Sequence, residues 1–331
     1  MSDKTLTIAR LISGGLIINY HCTSACRHCL YRCSPRWPRE YISPDVTWKN
    51  LLMIRDLGCS KIHIGGGEPL LNPDCVVSVL DLAHEAEVDI DYVETNSSWY
   101  RGHDEACVLL DRLSAKGLST LLVSISPFHN EHIPFYKVKG VIAACHEVGI
   151  AVFPWIAAFV SDICTFDVMT PHSLEEYQRH FGEEYVEQLP RRYWISPGGR
   201  ALETFGRFTE AKTLNAIIDA SAGGCKELAQ VSHFHVDLFG NYIPGLCAGL
   251  SIRTNDLGKP LDPEKYPIIT GLYAGGIGTL TAYAAREYGF TPKKRGYSSK
   301  CELCYEIRRA LVVEKGSNSE EIPPHGHYRY G

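Results

Sequence analysis

The sequence predicts an α/β protein: a parallel sheet of repeated strand–helix units, closed or nearly closed into a barrel, followed by a smaller second domain. Three observations predict it. Short apolar runs alternate with helical patterns as far as residue 156, and strands separated by helices imply parallel pairing with right-handed crossovers. Three polar clusters, Gly65–Glu68, Thr95-Asn96 and Ser124–Ser126, fall at the ends of different strands, where parallel sheets collect ligands. The pattern then changes, and Ser196-Pro197-Gly198-Gly199-Arg200 is a turn-rich break.

Each element has its own signal. Residues 14–20 read as the first strand, with a cysteine-rich loop after it. Ser43-Pro44 opens a helix as a cap followed by proline, and Leu57-Gly58 ends it. Residues 61–64 form a strand running into Gly65-Gly66-Gly67. Asn72-Pro73 caps the next helix, and residues 88–94 alternate as a strand. A helix over 103–116 ends at Gly117, a strand covers 120–126, a helix over 136–148 ends at Gly149, and a strand covers 150–156. Beyond the break come a helix over 209–220, a hairpin around Gly240-Asn241, and a cysteine pair. The ending, His325–Gly331, reads as a mobile tail.

The composition is globular, at 45% hydrophobic and 21% charged with net charge −5. It gives no electrostatic footprint for nucleic acid. Lys293-Lys294-Arg295 reads as a solvated loop. No apolar run reaches the ~20 residues of a spanning helix, and the polar start MSDKTLTIAR is no signal peptide. The expected compartment is the cytoplasm, with no membrane partner. Thirteen cysteines then point to metal or redox work, because disulfides are disfavoured there. Cys59, Cys75, Cys107, Cys145 and Cys164 stand alone in apolar or helical patterns and read as small packing residues.

Cys22, Cys26 and Cys29 are spaced C-x3-C-x2-C directly after a strand. Three thiolates can hold three irons of a [4Fe–4S] cluster and leave the fourth open. A zinc knuckle, with Cys33 or His28 as a fourth ligand, or a redox thiol cluster is the alternative. Gly66-Gly67-Glu68-Pro69 follows the second strand. Glycines there allow close backbone approach, and a carboxylate suits an ammonium group.

With these two motifs the chain resembles the radical SAM superfamily from residue 14 to about 310. The resemblance implies a partial (β/α)6 TIM-like barrel at 14–195. It implies that Cys22, Cys26 and Cys29 carry a [4Fe–4S] cluster whose open iron is chelated by S-adenosylmethionine, with Cys33 a non-ligand nearby. Reductive cleavage of that cofactor would yield a 5′-deoxyadenosyl radical. His28 stands where the family commonly has an aromatic residue, and would pack beside the adenine. Gly66, Gly67, Glu68 and Pro69 would bind the methionyl amino group, Thr95 and Asn96 the ribose and methionyl group, and Ser124 the carboxylate. Ser126-Pro127 departs from the family's frequent Asp-Gly. His129, Glu131 and His132 follow on the rim, where they could bind metal, relay a proton, shape a pocket or cap a helix.

Cys225, Cys247, Cys301 and Cys304, with the hairpin lying between the first two, resemble the twitch domain, the short form of the SPASM extension. Gly198–Ala201 resembles its lead-in. The resemblance implies a small C-terminal α+β hairpin-containing cluster-binding domain at 196–315, holding an auxiliary [4Fe–4S] cluster, with 316–331 a tail. A structural zinc site is the alternative.

The resemblance further implies an electron donor such as a flavodoxin or ferredoxin, and oxidative modification of a peptide or small molecule. A superfamily does not fix its substrate. A non-catalytic iron–sulfur or zinc electron-transfer protein is the reading from another class, and the Gly66–Pro69 run argues against it.

Overall fold

The structure is a computed structural model that describes residues 5–330. The chain forms two compact units. One holds residues 15–26 and 33–195; the other holds residues 5–14, 27–32 and 196–330 among those described.

The first unit is an α/β layer. Its strands are β1 (Gly14–Ile17, whose first residue counts with the other unit), β2 (Lys61–Gly65), β3 (Asp89–Thr95), β4 (Thr120–Ser124) and β5 (Ala151–Trp155). They lie in the order β5-β4-β3-β2-β1, and β2 to β5 pair in parallel. Helices α1 (Pro44–Asp56), α2 (Pro73–Glu85), α3 (His103–Ser114) and α4 (Phe135–Val148) connect them. The caps act as their residue types dictate: Ser43 accepts from the Val46 N–H, Asn72 accepts from the Cys75 N–H, and Gly149 ends α4 at φ 77°. The core is fully buried Leu16, Ile18, Ile64, Val93, Leu121 and Val123 against Leu51, Val76, Leu110 and Val141 of the helices.

The sheet is open rather than closed into a barrel. The reason is visible at β5. Pro154 lacks the N–H that a further strand would need on an interior position. Phe153 and Trp155 are 44% and 39% exposed. Ile156 then takes a left-handed φ of 98° and the chain turns into short helical turns instead of a sixth strand. These lead to α5 (Leu174–Phe181) and α6 (Tyr185–Arg192), packed through Phe166, Tyr177, Phe181 and Tyr185.

The second unit carries the antiparallel β6 (Phe234–Asp237), β7 (Asn241–Ile243) and β8 (Ile252–Arg253). The β6–β7 turn uses Gly240 at φ 72°, and the buried Asp237 carboxylate accepts from the Phe239 and Asn241 N–H groups. Its longer helices are α7 (Leu214–Ala220), α8 (Pro267–Gly275), α9 (Ile277–Tyr288) and α10 (Lys300–Val313). The helix expected over 209–220 starts at Leu214, because Thr213 caps it.

The ending is not mobile over its described part. Ile322, His327 and Tyr328 are buried. Glu321 accepts from the Ile268 and Ile269 N–H groups at 2.9 and 2.6 Å, satisfying the start of α8. Tyr328 accepts from Arg308 at 2.8 Å. Gly331 lies outside the described residues.

Candidate active site

In the first unit the predicted residues at the ends of β1, β2 and β3 form one hydrogen-bonded frame. The Gly67 N–H donates to the Asn19 carbonyl at 2.8 Å, and the Glu68 N–H donates to the His21 carbonyl at 3.0 Å. The two backbones lie so close that a Cβ on Gly67 would sit 2.0 Å from the His21 carbonyl oxygen. One on Gly66 would sit 2.4 Å from the Asn19 Oδ1. The glycines therefore admit a chain-to-chain approach that a side chain would block.

Glu68 is fully buried. One carboxylate oxygen accepts from the Thr95 hydroxyl at 3.0 Å and the Leu70 N–H at 3.1 Å; the other accepts from the Asn96 N–H at 2.6 Å. Burial raises its pKa to about 7, against the lowering effect of those three donors. Glu68 thus ties the end of β2 to the end of β3, leaving about one lone-pair direction for a further donor. Thr95 also accepts from the Trp99 indole at 2.9 Å.

The frame reaches Cys22. The Asn96 side-chain amide donates to its sulfur at 3.4 Å, as does the Ser24 N–H at 3.4 Å. Cys22, Cys26 and Cys33 are buried. The Cys33 thiol points at the Gly66 carbonyl, 3.6 Å away. His21 is fixed by Trp37, whose carbonyl lies 2.9 Å from Nδ1, and Trp37 stacks on Tyr20 at 4.5 Å. Tyr193 lies within electrostatic reach of Cys26.

Asn19 is the residue that sequence reasoning missed. Its amide donates to the His21 and Glu68 carbonyls at 2.9 and 3.2 Å, and its Oδ1 accepts from the Gly67 N–H at 3.2 Å. The available signal was a polar residue interrupting the apolar run Leu16–Ile18 at a strand end.

Ser124 ends β4 half-buried. Two residues on, Ser126 caps the turn Pro127–Asn130 and its hydroxyl lies 2.8 Å from His129 Nδ1. Burial first, and then the neighbouring His132, lowers the His129 pKa to about 4, so the ring is neutral at pH 7. Glu131 accepts from the Leu174 N–H at 3.3 Å at the start of α5. Ser126 and Glu131 therefore act as helix caps.

Cys29 and His28 lie in the 27–32 segment of the second unit. There the Arg200 N–H donates to the Cys29 carbonyl at 3.0 Å, and the Thr204 hydroxyl donates to the Arg27 carbonyl at 2.6 Å. Gly199, at φ 56°, lies so close that a Cβ would meet the Cys29 and Leu30 carbonyls at 2.3 Å.

The same unit gathers the other four cysteines. Cys225 precedes the turn Lys226–Ala229, and Cys247 follows the turn Pro244–Leu246. Gly245 brings these turns together, since a Cβ there would be 1.9 Å from the Glu227 carbonyl. Cys301 and Cys304 occupy the first turns of α10, which Ser299 caps. Burial pushes the Cys225 thiol up to about 12 and raises Cys247 and Cys301 as well; each of the three also feels Cys304. Such thiols lose their protons when a metal replaces them. Two cations attend the set: Lys300 Nζ lies 3.7 Å from the Cys225 sulfur, and buried Arg308 donates to the Cys304 carbonyl at 3.3 Å.

Residues 16–180 match the Radical SAM superfamily model. The protein carries a radical SAM domain. The family implies a [4Fe–4S] cluster and S-adenosylmethionine. Two curated relatives are each named S-adenosylmethionine-dependent nucleotide dehydratase. The one from Fibrobacter sp. (strain UWH6) is 30% identical over 31% of this chain and 33% of its own. The one from Thermoplasmatales archaeon (strain ISO4-H5) is 30% identical over 22% and 25%. The chain thus spans about a third or less of the relatives it matches. Solved structures with a similar trace include native anSMEcpe with bound AdoMet, at TM-score 0.40 and 12% identity over 70% of this chain and 74% of that one. Another is Streptococcus suis SuiB bound to S-adenosylmethionine, at TM-score 0.38 and 13% identity over 80% of this chain and 69% of that one. Among the described residues no helix is long and apolar enough to cross a membrane.

Proposed function

We propose that this radical SAM domain is catalytic, with Cys22, Cys26 and Cys29 holding the cluster and S-adenosylmethionine completing it. The observation that carries the reading is the frame around Cys22. A buried sulfur that receives two N–H donors is suited to the thiolate form that ligates iron. When bound, the cluster and its cofactor supply one-electron cleavage of a carbon–sulfur bond and a 5′-deoxyadenosyl radical that takes a substrate hydrogen.

The chain's own residues have separate tasks in this reading. Gly66, Gly67 and Pro69 belong to the run that faces the cofactor's methionyl amino group, and Gly66 and Gly67 also seat the segment before the cysteines. Glu68 offers its remaining lone pair toward the cofactor's ammonium, while Thr95, Asn96 and Ser124 line the strand ends on the methionyl and ribose side. His28 packs beside the adenine. An electron donor such as a flavodoxin or ferredoxin would supply the electron that the bound cluster needs. The core spans 14–195. A twitch/SPASM-like module at 196–315 holds a second [4Fe–4S] cluster on Cys225, Cys247, Cys301 and Cys304, which favours net oxidation of a peptide or small molecule. Residues 316–331 follow that module as the tail.

A nucleotide is a second reading for the substrate. The relatives named as nucleotide dehydratases favour it.

The test is 5′-deoxyadenosine formation by anaerobically reconstituted protein. Cys22→Ala, Cys26→Ala and Cys29→Ala should each abolish it, and Cys33→Ala should not. Wild-type product from a triad variant refutes the cluster assignment. Stimulation of product by nucleoside triphosphates, and not by peptides, selects the nucleotide reading.

A further inference from the structure

A third set of metal-ligating side chains lies outside these sites, in the first unit, between α3 and α4. His103 and Cys107 are four residues apart on α3, one turn above the other on a single face. Glu147 comes from the last turn of α4. His103 Nε2 is 2.7 Å from a Glu147 carboxylate oxygen, and the Cys107 sulfur is 3.7 Å from the same nitrogen. All three ligand atoms lie within 4.8 Å of one another.

The geometry points to a site for one zinc-class divalent ion, held by His103, Cys107 and Glu147 and joining α3 to α4. An imidazole, a thiolate and a carboxylate are each zinc ligands, and the mixture suits a borderline ion better than magnesium or calcium. Bond lengths of ~2.0–2.3 Å at a tetrahedral centre place nitrogen and sulfur ~3.6 Å apart and nitrogen and oxygen ~3.4 Å apart. The nitrogen–sulfur distance is already there. The nitrogen–oxygen pair must open by ~0.7 Å as the ion replaces the shared proton.

The surroundings favour a cation. Asp104 and Asp111 join Glu147 as negative charges around Cys107. A cysteine binds such an ion as its thiolate, so ion binding at Cys107 displaces the thiol proton. Three protein ligands leave a fourth position open. The ligands stand on two helices whose packing is independent of the ion: buried Ala106 and Leu110 of α3, and Val141, Ala144 and Cys145 of α4, are core residues. His103 and Glu147 side chains are 40% and 64% exposed, so an ion can enter from solvent. Cys107 therefore has a different part from the packing role that its place in a helical pattern suggested.

The test uses reconstituted protein, so that clusters occupy the other cysteines. Zinc is titrated against a chromophoric chelator, and Cys107 alkylation is followed by peptide mass mapping with and without zinc. Wild type should bind one more zinc per chain than Cys107→Ala, at unchanged iron content, and zinc should slow alkylation of Cys107 at least ten-fold. His103→Ala and Glu147→Gln should each weaken binding by ten-fold or more. Equal zinc binding by wild type and Cys107→Ala overturns the site, and so does an alkylation rate that ignores zinc.

Discussion

Replacing Gly67 by alanine tests how the cysteine loop is held. The added Cβ would sit 2.0 Å from the His21 carbonyl oxygen, 2.5 Å from its carbon and 2.8 Å from the Tyr20 carbonyl oxygen. These are backbone atoms, so no rotamer change relieves the clash. The two segments must part by about 1.4 Å to reach ordinary contact, which costs ~1–3 kcal/mol as overpacking. That shift also stretches the Gly67–Asn19 and Glu68–His21 bonds of 2.8 and 3.0 Å beyond useful length, a further ~0.5–1.5 kcal/mol each. The total, ~2–6 kcal/mol, is a large part of a domain's ~5–15 kcal/mol. His21 immediately precedes Cys22, so the displacement falls on a proposed iron ligand. The assay is urea unfolding together with iron per chain and 5′-deoxyadenosine yield. Gly102→Ala is the control, because its backbone is extended and nothing lies within 4 Å of the new methyl. Gly67→Ala with a wild-type midpoint and full product would refute the reasoning.

The same contacts lead to three further outcomes. Glu68→Ala should weaken S-adenosylmethionine binding about ten-fold or more, as loss of a charge-assisted contact of ~1.5–3 kcal/mol requires, and should also lower the urea midpoint because Thr95, Asn96 and Leu70 lose their acceptor; a titration and an unfolding curve both matching wild type would exclude either role. Reconstituted protein should carry about eight irons by the stoichiometry of two clusters, and Lys300→Met, which removes the cation beside Cys225, should lower the reduction potential of the C-terminal cluster; four irons plus one zinc would replace that cluster with a structural ion. Burial raises the Glu321 pKa to about 7 from 4.5, so the folded state binds the proton more tightly, and its contribution to stability is full below about 4.5 and lost as pH rises through about 7; Glu68 acts in the same direction, so Glu321→Gln should flatten but not abolish the fall in urea midpoint between those values, and identical slopes would show that Glu321 does not titrate there.

Local signals made much of the first unit legible. Ser43-Pro44, Asn72-Pro73 and Gly149 each mark a helix boundary through a contact within four residues, so the sequence alone contains both partners. The parallel α/β repeat of a partial barrel was legible in the alternating pattern, while the point where it stops is a local matter. It depends on the residues at and just past the end of β5, where Pro154 and the left-handed Ile156 halt the repeat. The docked ending was missed. Its polar, aromatic letters read as loose, but Tyr328 and Glu321 find partners at Arg308 and at residues 268–269, far away in sequence.

The glycine pairs show where sequence reasoning about a site stops. Gly66-Gly67 and Gly198-Gly199 both announce that something approaches the backbone closely, because only glycine leaves that space. The sequence cannot say what approaches. In each case it is a stretch of the cysteine loop or the strand end leading into it: Asn19–His21 against the first pair, and Cys29-Leu30 against the second. A ligand-binding glycine tolerates a methyl with loss of affinity alone. A glycine that seats the backbone beside a proposed iron ligand cannot, and its substitution should remove iron before it changes the response to cofactor concentration. Iron content measured before any cofactor is added therefore separates the two roles, and full iron with weakened cofactor binding in Gly66→Ala would return that residue to the ligand-facing role.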